Sequence, residues 1–129
     1  MLKTGVQKLL AEANAQVKAL SVEDTLSLME NPDVVIVDVR DESERRTNGF
    51  IPGSVHASRG MLEFYVDPES PAHKDAFSSG KQLVLHCASG GRSVLAAKMV
   101  QDMGVENVSH MAGGFAAWAQ AGAPIERES

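Results

Sequence analysis

The stretch Leu83-Val84-Leu85-His86-Cys87-Ala88-Ser89-Gly90-Gly91-Arg92-Ser93 decides how the rest of the chain is read. A short apolar run ends at the only cysteine, a small glycine-bearing loop follows, and helical periodicity runs from Ser93 to Met103. This predicts a strand, a tight turn and a helix N-terminus, with a sulfur at the turn. Gly90 and Gly91 admit positive φ, so the five backbone N–H groups from Ala88 to Arg92 can curl around that sulfur. A concave run of N–H groups backed by a helix dipole favours negative charge. A thiol placed there gives up its proton more readily than a free one, and the thiolate is the reactive form. The same cysteine can also be read as a small buried hydrophobe closing a core strand.

Upstream, Val34-Val35-Ile36-Val37 is a continuous β-branched run, the mark of a strand buried on both faces of a parallel sheet. It ends in Asp38-Val39-Arg40, placing charges where open α/β sheets hold their ligands. Asp38 and Arg40 can act there directly, or can pair with neighbours and cap the next turn. Leu2, Val6, Leu9, Leu10, Ala13 and Val17 predict an amphipathic helix over residues 2–15, its stripe packed on the domain, with a dimer contact as the alternative use. Lys18–Leu20 reads as a short strand, and Ser21 with Asp24 as the cap of a helix ending before Asn31-Pro32. Asp41–Thr47 reads as a charged helix closed by Gly49, and Val55-His56-Ala57 as a third strand.

Residues 58–80 are the least regular, with Met61, Phe64 and Tyr65 expected to form a local core and a short helix near His73–Phe77. Beyond the organising stretch, Gly104 ends the helix, Val105–Met111 reads as the last strand, and Phe115–Ala121 as the last helix. Alternating strands and helices point to a parallel sheet covered on both faces.

The chain has 129 residues, 43% hydrophobic and 22% charged, which suits one globular domain. Residues 1–16 read as an N-terminal helix and residues 17–129 as the domain proper. A net charge of −5 argues against a nucleic-acid partner, and no run is long and apolar enough for a membrane partner. One cysteine excludes an internal disulfide and, with a start unlike a signal peptide, suits a reducing, cytoplasmic setting. His56, His73 and His110 are scattered without ligand spacing, so no metal is expected and solvated or core roles are assigned to them. No cofactor is expected. His86, one residue before Cys87 on a strand, should face away from the thiol.

These residues resemble a known family. Asp38-Val39-Arg40, Glu44 and Gly49-Phe50-Ile51-Pro52-Gly53-Ser54 are similar to the first signature of rhodanese domains. Cys87 to Ser93 resembles their active-site loop, and Gly113-Gly114-Phe115, Trp118 and Ala121-Gly122-Ala123-Pro124 their closing signature. Phe50 stands where His is usual, and Phe115 where Trp is common. The resemblance implies a five-stranded parallel sheet with helices on both faces. It also implies sulfurtransferase activity: Cys87 attacks the outer sulfur of thiosulfate or a similar small anionic donor, and the resulting persulfide passes sulfur to cyanide or to a small-molecule or protein thiol.

Cys87 to Arg92 spans six residues, whereas phosphatases and arsenate reductases of the same fold use seven for a wider cradle. The expected substrate-binding set is Ala88, Ser89, Gly90, Gly91, Arg92, Ser93 and Arg59, supported by Asp38, Arg40 and Glu44. Arg92 can hold the substrate anion or turn outward onto Asp38 or Glu44. Arg59 can attract the anion or sit on the surface. Ser89 and Ser93 can donate to the sulfur, or Ser93 can cap the helix. A persulfide carrier in a protein relay is the alternative to turnover.

Overall fold

The structure, a computed structural model, describes residues 1–128. Its sheet is built from β1 (Lys18–Leu20), β2 (Val34–Asp38), β3 (Val55–His56), β4 (Gln82–His86) and β5 (Val108–Met111). Every pairing is parallel, in the order β1-β5-β4-β2-β3. The chain leaves β2 toward β3 and leaves β4 toward β5, in opposite directions. The carboxyl ends of β2 and β4 therefore flank the crevice where open α/β sheets bind ligands.

Helices α1 (Val6–Gln16), α2 (Val22–Leu28), α3 (Glu42–Asn48), α4 (Leu62–Val66), α5 (Gly91–Asp102) and α6 (Gly114–Gln120) complete the fold among the described residues. Strand alternation sorts the core into two halves. Leu83, Leu85 and Cys87 face a cluster that includes Ala13 of α1, Leu62 of α4, and Val94, Ala97 and Val100 of α5. Val84, Ile36 and Met111 face the other side, against Phe115 and Trp118 of α6 and the flank of α2. The expected parallel sheet with helices on both faces is what the chain adopts.

Local rules account for the element ends. Ser21 and Asp24 form a reciprocal capping box, Ser21 Oγ accepting from Asp24 N at 3.0 Å and Asp24 Oδ2 from Ser21 N at 3.2 Å. The last strand is shorter than the predicted Val105–Met111, because Asn107 takes φ 60°, a left-handed conformation that no strand accommodates. In residues 58–80 the spacing of Leu62 and Val66 produces α4 and turns those two inward with Phe77. Met61 and Phe64 consequently lie exposed, not in a local core, and Tyr65 packs partly against it with Lys74 over its ring at 4.8 Å. The helix expected near His73–Phe77 is a 3₁₀ turn over Asp75–Ser78. No helix among the described residues is long and apolar enough to cross a membrane.

Candidate active site

Gly90, with φ 112°, stands at the N-cap position of α5 and has no side chain to satisfy the helix's first N–H groups. Cys87 Sγ fills that place. It accepts from Gly90 N at 3.1 Å and from Ser93 N at 3.3 Å. Ser93 Oγ lies 3.6 Å from the sulfur. Two backbone donors thus close on Sγ, and one of them, Ser93, lies beyond the Ala88–Arg92 run expected to supply five. The turn at Gly90 aims its own N–H and that of Ser93, in the first turn of α5, at the sulfur. Cys87 is 1% exposed.

A second helix braces the loop from behind. Phe115 N donates to Cys87 O at 2.8 Å and Ala116 N to Ala88 O at 2.9 Å, so the first turn of α6 satisfies the loop's carbonyls. Gly114 makes this approach possible: at φ 59° its added Cβ would sit 2.6 Å from Cys87 O and 2.7 Å from Ala88 O.

Asp38 and Arg40 form a buried frame at the end of β2 on the α6 side. Arg40 donates Nε to Asp38 Oδ1 at 3.0 Å and Nη2 to Asp38 Oδ2 at 2.9 Å, and it also reaches Gly49 O at 2.8 Å. Arg45 also bonds Asp38, at 3.0 Å, and the Arg40 guanidinium lies 4.1 Å over the Phe115 ring. Burial pushes the Asp38 carboxyl up, but the hydrogen bonds and charge of Arg40, with His86, outweigh it and hold the carboxyl at about 2. His86 faces away from the thiol, as strand alternation predicts, and its ring stacks on Phe115. Its Nδ1 lies 3.3 Å from Cys87 O, while Nε2 is 3.8 Å from Asp38 and without a hydrogen-bond partner among the described residues. Burial keeps this imidazole below its ordinary value.

Of the two uses open to Arg92, the structure shows the outward one. Its guanidinium clamps Glu44 of α3 with bonds of 2.7 and 2.9 Å, at 40% exposure. Arg92 holds the Glu44 carboxyl below its usual range, and Glu44 in turn keeps Arg92 firmly protonated. Arg59 is likewise paired, with Glu63 one helical turn on at 3.0 Å. Ser89 is exposed and makes no side-chain hydrogen bond among the described residues. A cleft of about 340 Å³ opens beside the loop, lined by Arg40, Glu44, Ala88, Phe115, Ile125 and Arg127 among others. On the opposite flank Ser89, Gly90 and Gly91 border a smaller cavity with Leu10, Asn14 and His110.

His110 is the residue that sequence reasoning left among the scattered histidines. It is 4% exposed, and its Nδ1 lies 3.1 Å from Ser93 Oγ. The signal was present but needed the strand order. Once β5 is known to lie beside β4, the pairing of Leu85 with His110 puts the ring on the same face as Cys87. No cluster of metal-ligating side chains exists among the described residues.

Comparison with known proteins places these features in context. A family model described as a rhodanese-like domain matches residues 21–121. A thiosulfate sulfurtransferase of Pseudoalteromonas translucida is 33% identical, over 78% of this chain and 88% of its own. A dual specificity phosphatase of Arabidopsis thaliana is 32% identical, over 79% of this chain and 73% of its own. The solved structure of a Rhodopseudomonas palustris protein, described as of unknown function and a possible tyrosine phosphatase, superposes with a TM-score of 0.94. That protein is 48% identical and covers 98% of this chain and 97% of its own.

Proposed function

The chain belongs to the rhodanese-like domain family, and from that premise we propose that it is a sulfurtransferase working through a persulfide on Cys87. The observation that carries this reading is the short turn from Cys87 into α5, six residues from Cys87 to Arg92, which brings the N–H groups of Gly90 and Ser93 to one sulfur. Donors fixed in advance around a developing anion are the arrangement that covalent catalysis by a thiolate needs.

In the first half-reaction the Cys87 thiolate attacks the outer sulfur of thiosulfate. The sulfur–sulfur bond breaks, its electron pair leaves with sulfite, and Cys87 becomes an anionic persulfide. In the second half, cyanide or a thiolate takes the terminal sulfur and the electron pair of the broken bond returns to Cys87 Sγ. Charge balances in both steps, and the Gly90 and Ser93 N–H groups face an anion throughout. Ala88, Ser89, Gly90, Gly91 and Ser93 form the walls of the cradle, and Arg59 and Arg92 are cations at its outer edge. Asp38 and Arg40 keep the end of β2 rigid beneath it. A protein thiol is an acceptor of the same chemistry, and in that use the domain serves as a persulfide carrier.

One relative is named a phosphatase and a second is described as a possible one, so the oxyanion alternative is tested alongside. Two observations weigh against it: the short loop, and the bidentate hold of Glu44 on Arg92, which removes the guanidinium from the cradle. The expected result is thiocyanate formation from thiosulfate and cyanide, with a mass gain of one sulfur atom on the protein after thiosulfate alone. Cys87→Ser should lose both while keeping its thermal midpoint. Hydrolysis of an aryl phosphate faster than thiosulfate turnover would overturn the reading.

A further inference from the structure

Behind the cradle, Cys87, Ser93 and His110 form a line of hydrogen-bonding groups. Sγ to Ser93 Oγ is 3.6 Å, and Ser93 Oγ to His110 Nδ1 is 3.1 Å. Ser93 has one hydroxyl proton and several acceptors within reach: Gly90 O at 3.2 Å, the imidazole Nδ1, and the sulfur when it is ionised. The direction of the chain is therefore tied to the charge on Cys87. With a neutral thiol, S–H donates to Ser93 Oγ and the Ser93 hydroxyl donates to Nδ1. With a thiolate, the hydroxyl turns to the sulfur, and Ser93 Oγ is free to accept from a proton on Nδ1.

We propose that His110 is a positioning residue that takes the Cys87 proton through Ser93, so that thiol and imidazole titrate as a pair. The transfer balances without a co-reactant: the S–H bond breaks as a new O–H bond forms on Ser93, while the old Ser93 O–H bond breaks as N–H forms on Nδ1. Thiolate and imidazolium remain. The inference rests on Cys87 being the nucleophile, as the sulfur-transfer reading has it.

Three further observations support it. The imidazole is neutral and able to accept, since burial disfavours its protonated form, and the thiolate charge created across Ser93 is what offsets that burial when the proton arrives. An outlet exists, because the ring lines a cavity of about 280 Å³ and Nε2 has no hydrogen-bond partner among the described residues. Finally, no other charged side chain among the described residues lines the cavity that the ring borders. The α1 residues on the cavity wall are Leu10 and Asn14. Those from the active-site loop and α5 are Ser89, Gly90, Gly91 and Val94, and those after β5 are Ala112 and Gly113. Ala19 of β1 and Leu85 of β4 pair with His110 in the sheet. Lys8 and Glu12 of α1 are exposed and outside that wall. Cys87 is thus the titrating group to which His110 is wired.

The test reads protonation and not turnover. Iodoacetamide alkylation of Cys87 is followed against pH in the wild type, His110→Ala, Ser93→Ala and the double variant. His110→Ala should move the midpoint upward by about half a pH unit, roughly a threefold slower reaction below it. In the Ser93→Ala background the same change should move nothing, because the link is already cut. An unmoved midpoint in His110→Ala, or equal shifts in both backgrounds, overturns the proposal. Should His110→Ala not fold, the His110 Nδ1 resonance is titrated in the wild type and in Cys87→Ser. Coupling is reciprocal, so loss of the thiol must displace that curve, and superimposable curves overturn the proposal. Sulfur transfer is assayed separately: a shifted alkylation curve in a protein that cannot turn over thiosulfate sinks the functional reading and leaves this one standing.

Discussion

At the scale of single residues, the site depends as much on absent side chains as on present ones. Gly114 occupies φ 59° with the carbonyls of Cys87 and Ala88 in the space a Cβ would need. Backbone atoms cannot rotate away as a flexible side chain can. Gly114→Ala should therefore cost at least about 1–2 kcal/mol for the left-handed conformation alone, and more for the clash. A melt should show its midpoint lowered by at least roughly 3 °C. Persulfide formation should fall further than the stability loss explains, because displacing α6 displaces the loop. A folded Gly114→Ala protein with wild-type sulfur loading would mean that the brace on the loop carbonyls is dispensable. None of this spacing was legible in the sequence. The pair Gly113-Gly114 announces a helix start, but the carbonyl it makes room for belongs to a residue 27 positions earlier (114 − 87 = 27).

At the scale of elements, two ionic links join the strand ends and helices around the cradle, and they differ in kind. The Glu44–Arg92 clamp between α3 and α5 is partly exposed, so its contribution to stability is modest, up to about 1 kcal/mol. Its larger effect is on charge. Glu44→Gln removes a negative group from the edge of an anion site and releases a guanidinium beside it, and both changes favour a dianion. The KM for thiosulfate should fall severalfold with little change in thermal midpoint. A rise in KM would show instead that Glu44 holds Arg92 where the substrate needs it.

The Asp38 frame at the end of β2 is fully buried and behaves differently. Its folded-state value of about 2 lies below the ordinary 3.8, so its stabilisation is present above the ordinary value and is lost as pH falls toward 2. That loss amounts to about 2 kcal/mol. The buried imidazole of His86, at the end of β4, is also held below its ordinary 6.5. The unfolded chain takes up a proton there that the folded one resists, so stability begins to decline below about pH 6.5. Unfolding free energy measured against pH should therefore fall in two stages, and His86→Leu should flatten the first and shrink, without abolishing, the second, which the Arg40 hydrogen bonds sustain. A single transition near pH 4, unchanged by that substitution, would contradict this assignment. Asp38, Arg40 and Glu44 were visible in the sequence as charges at a strand end. Which charge each would pair with was not, because it depends on the relative placement of α3 and α5.

Across the whole molecule, the sheet and its coverings were legible because period and punctuation agree: β-branched runs, a capping box, and glycines at helix ends. Legibility failed where a local pattern was overruled, as at Asn107, or where a contact crosses between elements and depends on the strand order, as from Ser93 of α5 to His110 of β5. The first helix is an intermediate case. Its apolar spacing predicted packing on the domain, and α1 does lie on α5, with Ala13 fully buried at the contact and Leu10 against the core. The helix starts at Val6 and not at residue 2 as its spacing predicted, which leaves Leu2 outside it, and Val6 and Leu9 stay exposed, so α1 uses only part of its stripe. The cradle itself hangs on β4, α5 and α6, and α1 supplies no hydrogen bond to it. This separation can be tested by overfilling the contact. Ala13→Leu inserts a larger side chain into a fully buried position, an overpacking that typically costs about 1–3 kcal/mol. The thermal midpoint should drop by roughly 3–5 °C for each kcal/mol lost, while thiosulfate turnover at 25 °C stays near the wild-type rate. Turnover lost in a protein that is still folded at that temperature would make α1 part of the catalytic unit, with the backing of α5 as the route by which it acts.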